Sequence, residues 1–246
     1  MSFLAWGEGP TVVALHGIGG AAHLWAGTAA GLPGRRLLAW NQPGYGGTAL
    51  LSPLSFAALA DALAAQLEEP VVDIIGHSMG GMIAMEFCLR HPARVRKLVL
   101  YATTPAFGGR DPAFAEAFMA ERLGPLNGGR TMAECARAMA GGMCGPGADP
   151  AAEPAIIAAM AEVPQASYRA TLACLAGFDR RAEIAGITAP TLCLAGAVDK
   201  AAPARTMERM AQTIPGARYA VVAGGGHMLH LERPAEFQAA LRDFLG

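Results

Sequence analysis

A serine stands between glycines at Gly76-His77-Ser78-Met79-Gly80, directly after one apolar run and just before another. A serine hydroxyl is a weak nucleophile. It attacks a carbonyl only when a base takes its proton and an acid group holds that base in one tautomer. Two later segments carry those residue types. "LCLAGAVDK" puts Asp199 just beyond an apolar run, and "VVAGGGHMLHLERP" puts His227 in a glycine-rich loop beyond the next one. The set describes acyl transfer, with Ser78 as nucleophile, His227 as general acid/base and Asp199 as the carboxylate that fixes the imidazole. The oxyanion of such a reaction needs two backbone N–H donors. Met79, the residue after the serine, is one. The loop "LHGIGG" supplies the other, from Ile18 or alternatively Gly19.

These side chains meet only if strand ends deliver them to one edge of a sheet. "TVVALHG" (Thr11–Gly17), "RRLLAWN" (Arg35–Asn41), "VVDIIG" (Val71–Gly76), "RKLVLYA", "APTLCLAG" and "ARYAVVAGGG" read as buried strands stopped by glycine or turn signals. Between them, Ser55–Gln66 has a helical face of Phe56, Leu59, Ala60 and Leu63 with Ser55 as N-cap. A second helix runs from Met79 to about Arg90 and stops before Pro92. A last helix begins at Pro234 and buries Phe237, Leu241 and Phe244. Strands alternating with helices imply an α/β fold, a mostly parallel central sheet covered on both faces. The spacing around Ser78 then has a steric reason. A strand–G-x-S-x-G–helix turn is so tight that Gly76 and Gly80 cannot carry side chains, and Gly81 lets the helix pack against the sheet. The serine is left exposed at a helix N-terminus, where N–H groups favour developing negative charge.

From Thr104 to about Ile187 the strand signals stop. "DPAFAEAFMAERLG" opens on Asp111-Pro112, "TMAECARAMAGG" carries Thr131 and Glu134 at capping-box spacing, "EPAIIAAMAE" opens on Glu-Pro, and "SYRATLACLAGF" follows. This block reads as a small helical cap over the sheet's C-terminal edge, where ligands bind in open α/β sheets. The expected division is a core of 1–104 and 188–246 with a cap insertion of 105–187.

Other residues compete for these roles. His91 sits beside Pro92 at a helix end, and His23 lies in a loop with no strand end to aim it. His230 makes an H-x-x-H pair with His227, but no carboxylate or cysteine joins them at ligand spacing, so no metal is expected. His16 is expected to organise its loop. Asp73 lies within the strand before the serine. Asp179 stays open as a rival to Asp199. Gly17-Ile18-Gly19-Gly20-Ala21-Ala22 fits a dinucleotide fingerprint, yet the next strand ends in Asn41 where the ribose-binding acid belongs.

Hydrophobic residues make up 53% of the 246 and charged residues 16%, which excludes a disordered chain. The formal net charge is −1 and no basic stripe is present, so no nucleic-acid partner is expected. No apolar stretch is long enough to span a bilayer, and the first residues lack a basic and apolar leader, so a cytoplasmic protein without membrane contact is expected. Cys88, Cys135, Cys144, Cys174 and Cys193 are odd in number and show no C-x-x-C spacing, as reduced thiols would. Oligomeric state is not legible.

"LHGIGG", "WNQPGYGGT", "IGHSMGGMIAMEF", "LAGAVDK" and "GGGHMLHLERPAEFQAALRDFL" resemble the α/β-hydrolase superfamily, in its order, over about two-thirds of the chain. The resemblance implies the α/β-hydrolase fold, the triad Ser78, Asp199 and His227, oxyanion donors Ile18 and Met79, and no cofactor. Asn41 stands where the family usually has Asp, and the usual opening hairpin is reduced to one strand. Serine in the elbow sets the chain apart from typical haloalkane dehalogenases and epoxide hydrolases, which use aspartate there. Cap and layout look like the 3-oxoadipate enol-lactonase and small carboxylesterase groups, so hydrolysis of a small-molecule carboxylic ester or lactone is expected. C–C bond hydrolysis of vinylogous diketones is the alternative, and a ligand sensor on the same fold is the non-enzymatic one. Met119, Met132, Met139, Met143 and Met160 are candidates for an adaptable apolar pocket, and Arg122, Arg130, Arg137 and Arg169 for a carboxylate clamp.

Overall fold

The computed structural model describes residues 1–108 and 112–246. Among the described residues, seven strands form one sheet in the order β1-β3-β2-β4-β5-β6-β7. They are β1 Phe3–Trp6, β2 Thr11–Leu15, β3 Arg36–Trp40, β4 Val72–His77, β5 Val95–Tyr101, β6 Thr191–Gly196 and β7 Arg218–Val222. Only β1 is antiparallel, against β3; all other pairs are parallel. One antiparallel strand therefore forms the edge of the sheet beside β3. The chain turns back between β2 and β4, which lie side by side. Their C-terminal ends form the crevice where ligands bind in such sheets.

Alternation along the strands builds two cores. Val13, Ile74 and Leu98 point to the face covered by α2 (Phe56–Gln66), α3 (Met79–Arg90) and α8 (Ala204–Thr213). Ala14, Ile75, Val99 and Leu192 point to the face covered by Trp25, by α1 (Ala26–Ala30) and by α10 (Pro234–Leu245), which buries Phe237, Leu241 and Phe244. Both faces of the parallel strands are apolar because both are covered. Ser55 caps α2 by accepting the Ala58 N–H at 3.1 Å.

Between β5 and β6 lie α4 (Pro112–Asn127), α5 (Met132–Ala140), α6 (Ala152–Ala161) and α7 (Gln165–Leu175). Asp111, the expected opening residue of the first, lies outside the described residues. Both halves of the capping box form on α5, with Glu134 N donating to Thr131 Oγ1 and Thr131 N to Glu134 Oε2. The insertion leaves the sheet through a narrow neck. Phe107 N donates to Phe178 O at 2.9 Å, and Arg180 N to Pro105 O at 2.7 Å. These helices share their own buried cluster around Tyr45, Leu126, Met132, Met160, Tyr168 and Leu172. No helix among the described residues is long and apolar enough to cross a membrane.

Candidate active site

β4 ends at His77 and α3 begins at Met79, so Ser78 is the whole turn between them. Its φ is +52° and ψ −118°, a conformation that L-residues adopt only when the surroundings impose it. The surroundings are close. A Cβ on Gly76 would meet Gly80 O at 2.6 Å, one on Gly80 would meet Leu15 O at 2.2 Å, and one on Gly81 would meet Thr103 Cβ at 2.7 Å. The turn is also tied down. Ser78 N donates to Tyr101 O at 3.1 Å, and Thr103 Oγ1 donates to Ser78 O at 2.6 Å.

Asp199 and His227 arrive from the neighbouring strand ends. Both are buried, and His227 Nδ1 lies 2.8 Å from Asp199 Oδ2. The other carboxylate oxygen accepts Ala201 N at 2.8 Å and Ala202 N at 3.0 Å. Burial acts to raise the Asp199 carboxyl, but attraction to His227, the Nδ1 bond and these two N–H groups outweigh it and hold the pKa below the ordinary carboxylate value. His77 donates through Nε2 to His227 O at 2.9 Å, and His227 N donates to Met143 O at 2.7 Å.

Ile18, Ser78, Met79, Asp199 and His227 line one cavity of about 1110 Å³. The loop carrying Ile18 runs against the serine, since a Cβ on Gly17 would sit 2.9 Å from Ser78 Cβ. Among the described residues no group accepts a hydrogen bond from Ile18 N or Met79 N. Two amide donors therefore stand unused beside the serine.

A model of the alpha/beta hydrolase family matches residues 12–240. The chain belongs to the alpha/beta hydrolase family. The match runs through the inserted helices as well as the sheet, beyond the core that the motifs marked. Among curated proteins, it is similar to the pimeloyl-[acyl-carrier protein] methyl ester esterase of Aromatoleum aromaticum, 30% identical and covering 95% of this chain and 97% of that one. Among solved structures, a hydrolase from Pseudomonas aeruginosa superposes with a TM-score of 0.88 at 27% identity, covering 99% of this chain and 93% of that one. The enol-lactonase from Burkholderia xenovorans superposes with a TM-score of 0.87 at 25% identity, covering 99% and 95%.

Within this hydrolase-family fold the competing residues have other partners. Asp179 sits at the neck of the insertion, bridged to Ala106, with its carboxylate on Arg181. Asp73 is buried on β4 and pairs with Arg35 and Arg96. His91 bonds Asp61, and His23 is exposed. His16 Nδ1 meets Gly17 O at 2.8 Å, organising its loop, and burial lowers its pKa to about 4. His230 Nδ1 meets the Tyr101 hydroxyl, its ring stacks on Trp25, and burial, then the nearby His227, lower its pKa to about 3. Asn41 is occupied within the fold. Its Oδ1 accepts Ala22 N at 3.0 Å and its Nδ2 donates to Met1 O at 3.2 Å, a pair of roles that Asp could not fill.

Of the five candidate methionines, Met139, Met143 and Met160 line the cavity, while Met119 and Met132 pack among the inserted helices. Of the four arginines only Arg122 reaches the cavity wall, beside Met139 and over the Phe118 ring. Arg169 bonds Asn127 instead. The residues that sequence reasoning missed are His77, Thr103 and Glu232. The first was visible only as a variable position inside G-x-S-x-G. The other two act on backbone groups, which leave no pattern in the sequence.

Proposed function

We propose that the chain hydrolyses a carboxylic ester or lactone through an acyl-enzyme on Ser78. One observation carries this reading: the strained serine shares a cavity with the bonded His227–Asp199 pair and with two unused amide N–H groups. His227 takes the hydroxyl proton as Ser78 Oγ bonds to the substrate carbonyl carbon. The carbonyl oxygen becomes an oxyanion and accepts from Ile18 N and Met79 N. Collapse breaks the bond to the alcohol oxygen, which leaves with the proton from His227. Water then repeats the sequence on the acyl-enzyme, giving its proton to His227 and releasing the acid. Asp199 holds Nδ1–H, so that Nε2 is the free base. No step calls for a metal or cofactor.

The block 105–187 acts as a cap that roofs this chemistry. Its Met139, Met143, Met160, Phe118 and Leu172 join Met82 and Ile18 in a largely apolar wall. A cavity of about 1110 Å³ exceeds what a two-carbon acyl group fills. The reading therefore favours an ester with an extended apolar acyl chain. The named relatives act on a methyl ester and on an enol-lactone, in keeping with this chemistry. An intact-mass measurement after fluorophosphonate treatment tests it. One adduct per chain, on Ser78 and absent from the denatured protein, is expected, and Ser78→Ala should abolish both labelling and turnover while the protein stays folded. Turnover retained by Ser78→Ala sinks the mechanism.

A further inference from the structure

The buried carboxylate of Glu232, only 1% exposed, has no part in the acyl-transfer steps above. It lies in α9 (Leu229–Glu232), immediately after the His227 loop. Its Oε1 accepts Gly226 N at 2.9 Å and Met228 N at 2.9 Å, the two amides that flank His227. Its Oε2 accepts Gly145 N at 2.6 Å, from the inserted segment between α5 and α6. The backbone oxygen of the same residue accepts Asp149 N at 3.0 Å. On either side of these contacts, His227 N donates to Met143 O at 2.7 Å and Arg233 Nη2 donates to Pro146 O at 2.5 Å. The stretch 143–149 and the loop 226–233 are thus sewn together by four hydrogen bonds, three of them made by Glu232 or by the amide of His227 itself. The seam is close: a Cβ on Gly145 would meet Gly224 O at 1.9 Å, and one on Gly226 would meet Gly145 N at 2.7 Å.

We infer that Glu232 is a positioning residue that couples the seating of the cap to the placement of His227. The inference rests on the role proposed for His227. One side chain holds both flanks of the catalytic loop and one edge of the roof, so the roof cannot lift at Gly145 without breaking a bond to the carboxylate that holds the His227 loop. A loop held only by its own strand end would not feel the cap. This one does, and the reacting geometry is assembled only with the cap seated.

Glu232→Gln separates this from a merely structural role. Two donors converge on Oε1, so the amide oxygen of glutamine stays there. The NH2 group then faces Gly145 N, donor against donor, and only the bond to the cap is lost. Fluorophosphonate titration counts assembled sites, and steady-state hydrolysis of a short aryl ester gives kcat and KM. Expected is full labelling of Ser78, KM unchanged within about twofold, and kcat lowered about tenfold, as a displaced base produces. A labelled fraction that falls while the rate per labelled site stays at the wild-type value would mean that Glu232 only stabilises, and overturns the inference. So does a wild-type kcat. Should the variant not fold, amide hydrogen exchange of the wild-type protein decides. Gly145, Gly226 and Met228 should open as one unit, with protection equal within about threefold. Much faster exchange at Gly145 alone overturns the coupling. Absence of any Ser78 adduct in the wild-type protein would instead refute the acyl-enzyme reading, and the exchange experiment would still judge the seam.

Discussion

Replacing Asp199 by asparagine tests the proposed base at the level of a single proton. Asp199 uses both oxygens: one accepts two backbone N–H groups, from Ala201 at 2.8 Å and Ala202 at 3.0 Å, and the other faces His227 Nδ1 at 2.8 Å. Asparagine has one oxygen. Two donors outweigh one, so the amide oxygen takes the side of Ala201 and Ala202 and the NH2 group turns to His227. Nδ1 must then accept, the ring proton moves to Nε2, and the nitrogen proposed to face Ser78 can no longer take a proton. The loss expected from the wrong tautomer is about 10⁴ in kcat, or about 5 kcal/mol of transition-state stabilisation. Shape and three of the contacts survive, so the change in folding stability should stay within about 1.5 kcal/mol. Steady-state hydrolysis of a p-nitrophenyl ester, with a melting curve on the same sample, measures both. Asp179→Asn is the control, because that carboxylate is spent on Arg181 at the neck of the insertion. If Asp199→Asn keeps a tenth of the wild-type kcat with an unchanged melting temperature, the tautomer argument is wrong. If Asp179→Asn shows the large loss instead, the acid has been misassigned.

Gly17→Ala places a methyl carbon 2.9 Å from Ser78 Cβ. Displacing the serine or the loop that carries Ile18 should cost at least about a hundredfold in kcat, out of proportion to any change in melting temperature; near wild-type turnover would show that the loop gives way freely. Acid stability follows from the buried imidazoles. Burial lowers His16 to about 4 and His230 to about 3 from an unfolded value of 6.5, so the unfolded chain binds more protons than the folded one between those limits. Stability is therefore full above pH 6.5 and falls as pH drops towards 4, by about 2 kcal/mol per histidine at pH 5. Denaturant midpoints at pH 7 and pH 5 measure the difference, and equal midpoints would refute the assignment of neutral, desolvated rings.

Much of this arrangement is legible in the sequence because it depends on pattern. The run "VVDIIG" marks β4 to within one residue, α3 begins at Met79 and ends at Arg90 where Pro92 forbids more, and the capping box at Thr131 and Glu134 forms as its spacing requires. What is not legible depends on backbone groups or on thin patterns. α8 shows only Met207 and Met210 on its buried side, too narrow a stripe to stand out in "ARTMERMAQT". Arg122, Arg130, Arg137 and Arg169 differ in nothing that spacing reveals, yet of these four only Arg122 reaches the cavity. Glu232 looks like an exposed helix acid beside Arg233 and Pro234. Its partners are three amide N–H groups, two of them on glycines, and an amide is the same whatever residue carries it.

The histidines behind the site show why burial there matters to chemistry as well as to packing. His77 lies 4.9 Å from His227 and 5.5 Å from His230, ring centre to ring centre. In the acyl transfer proposed here, His227 becomes an imidazolium as the tetrahedral species forms. A second positive charge at about 5 Å, at an effective dielectric constant near 20, would oppose that by about 3 kcal/mol, or about two orders of magnitude in rate. Burial, with the repulsion of His227 and His230 added to it, pushes His77 well below its ordinary pKa, and His230 falls to about 3. Both shifts favour the neutral ring at neutral pH. As a neutral ring, His77 keeps the Nε2 proton that it donates to His227 O. Position 77 thus supplies a donor without a charge. A lysine or arginine there would keep a donor but impose the repulsion, and an apolar residue would remove the repulsion but release the carbonyl. The imidazole serves both requirements only because the sheet, Tyr101 and Trp25 close water out from behind it.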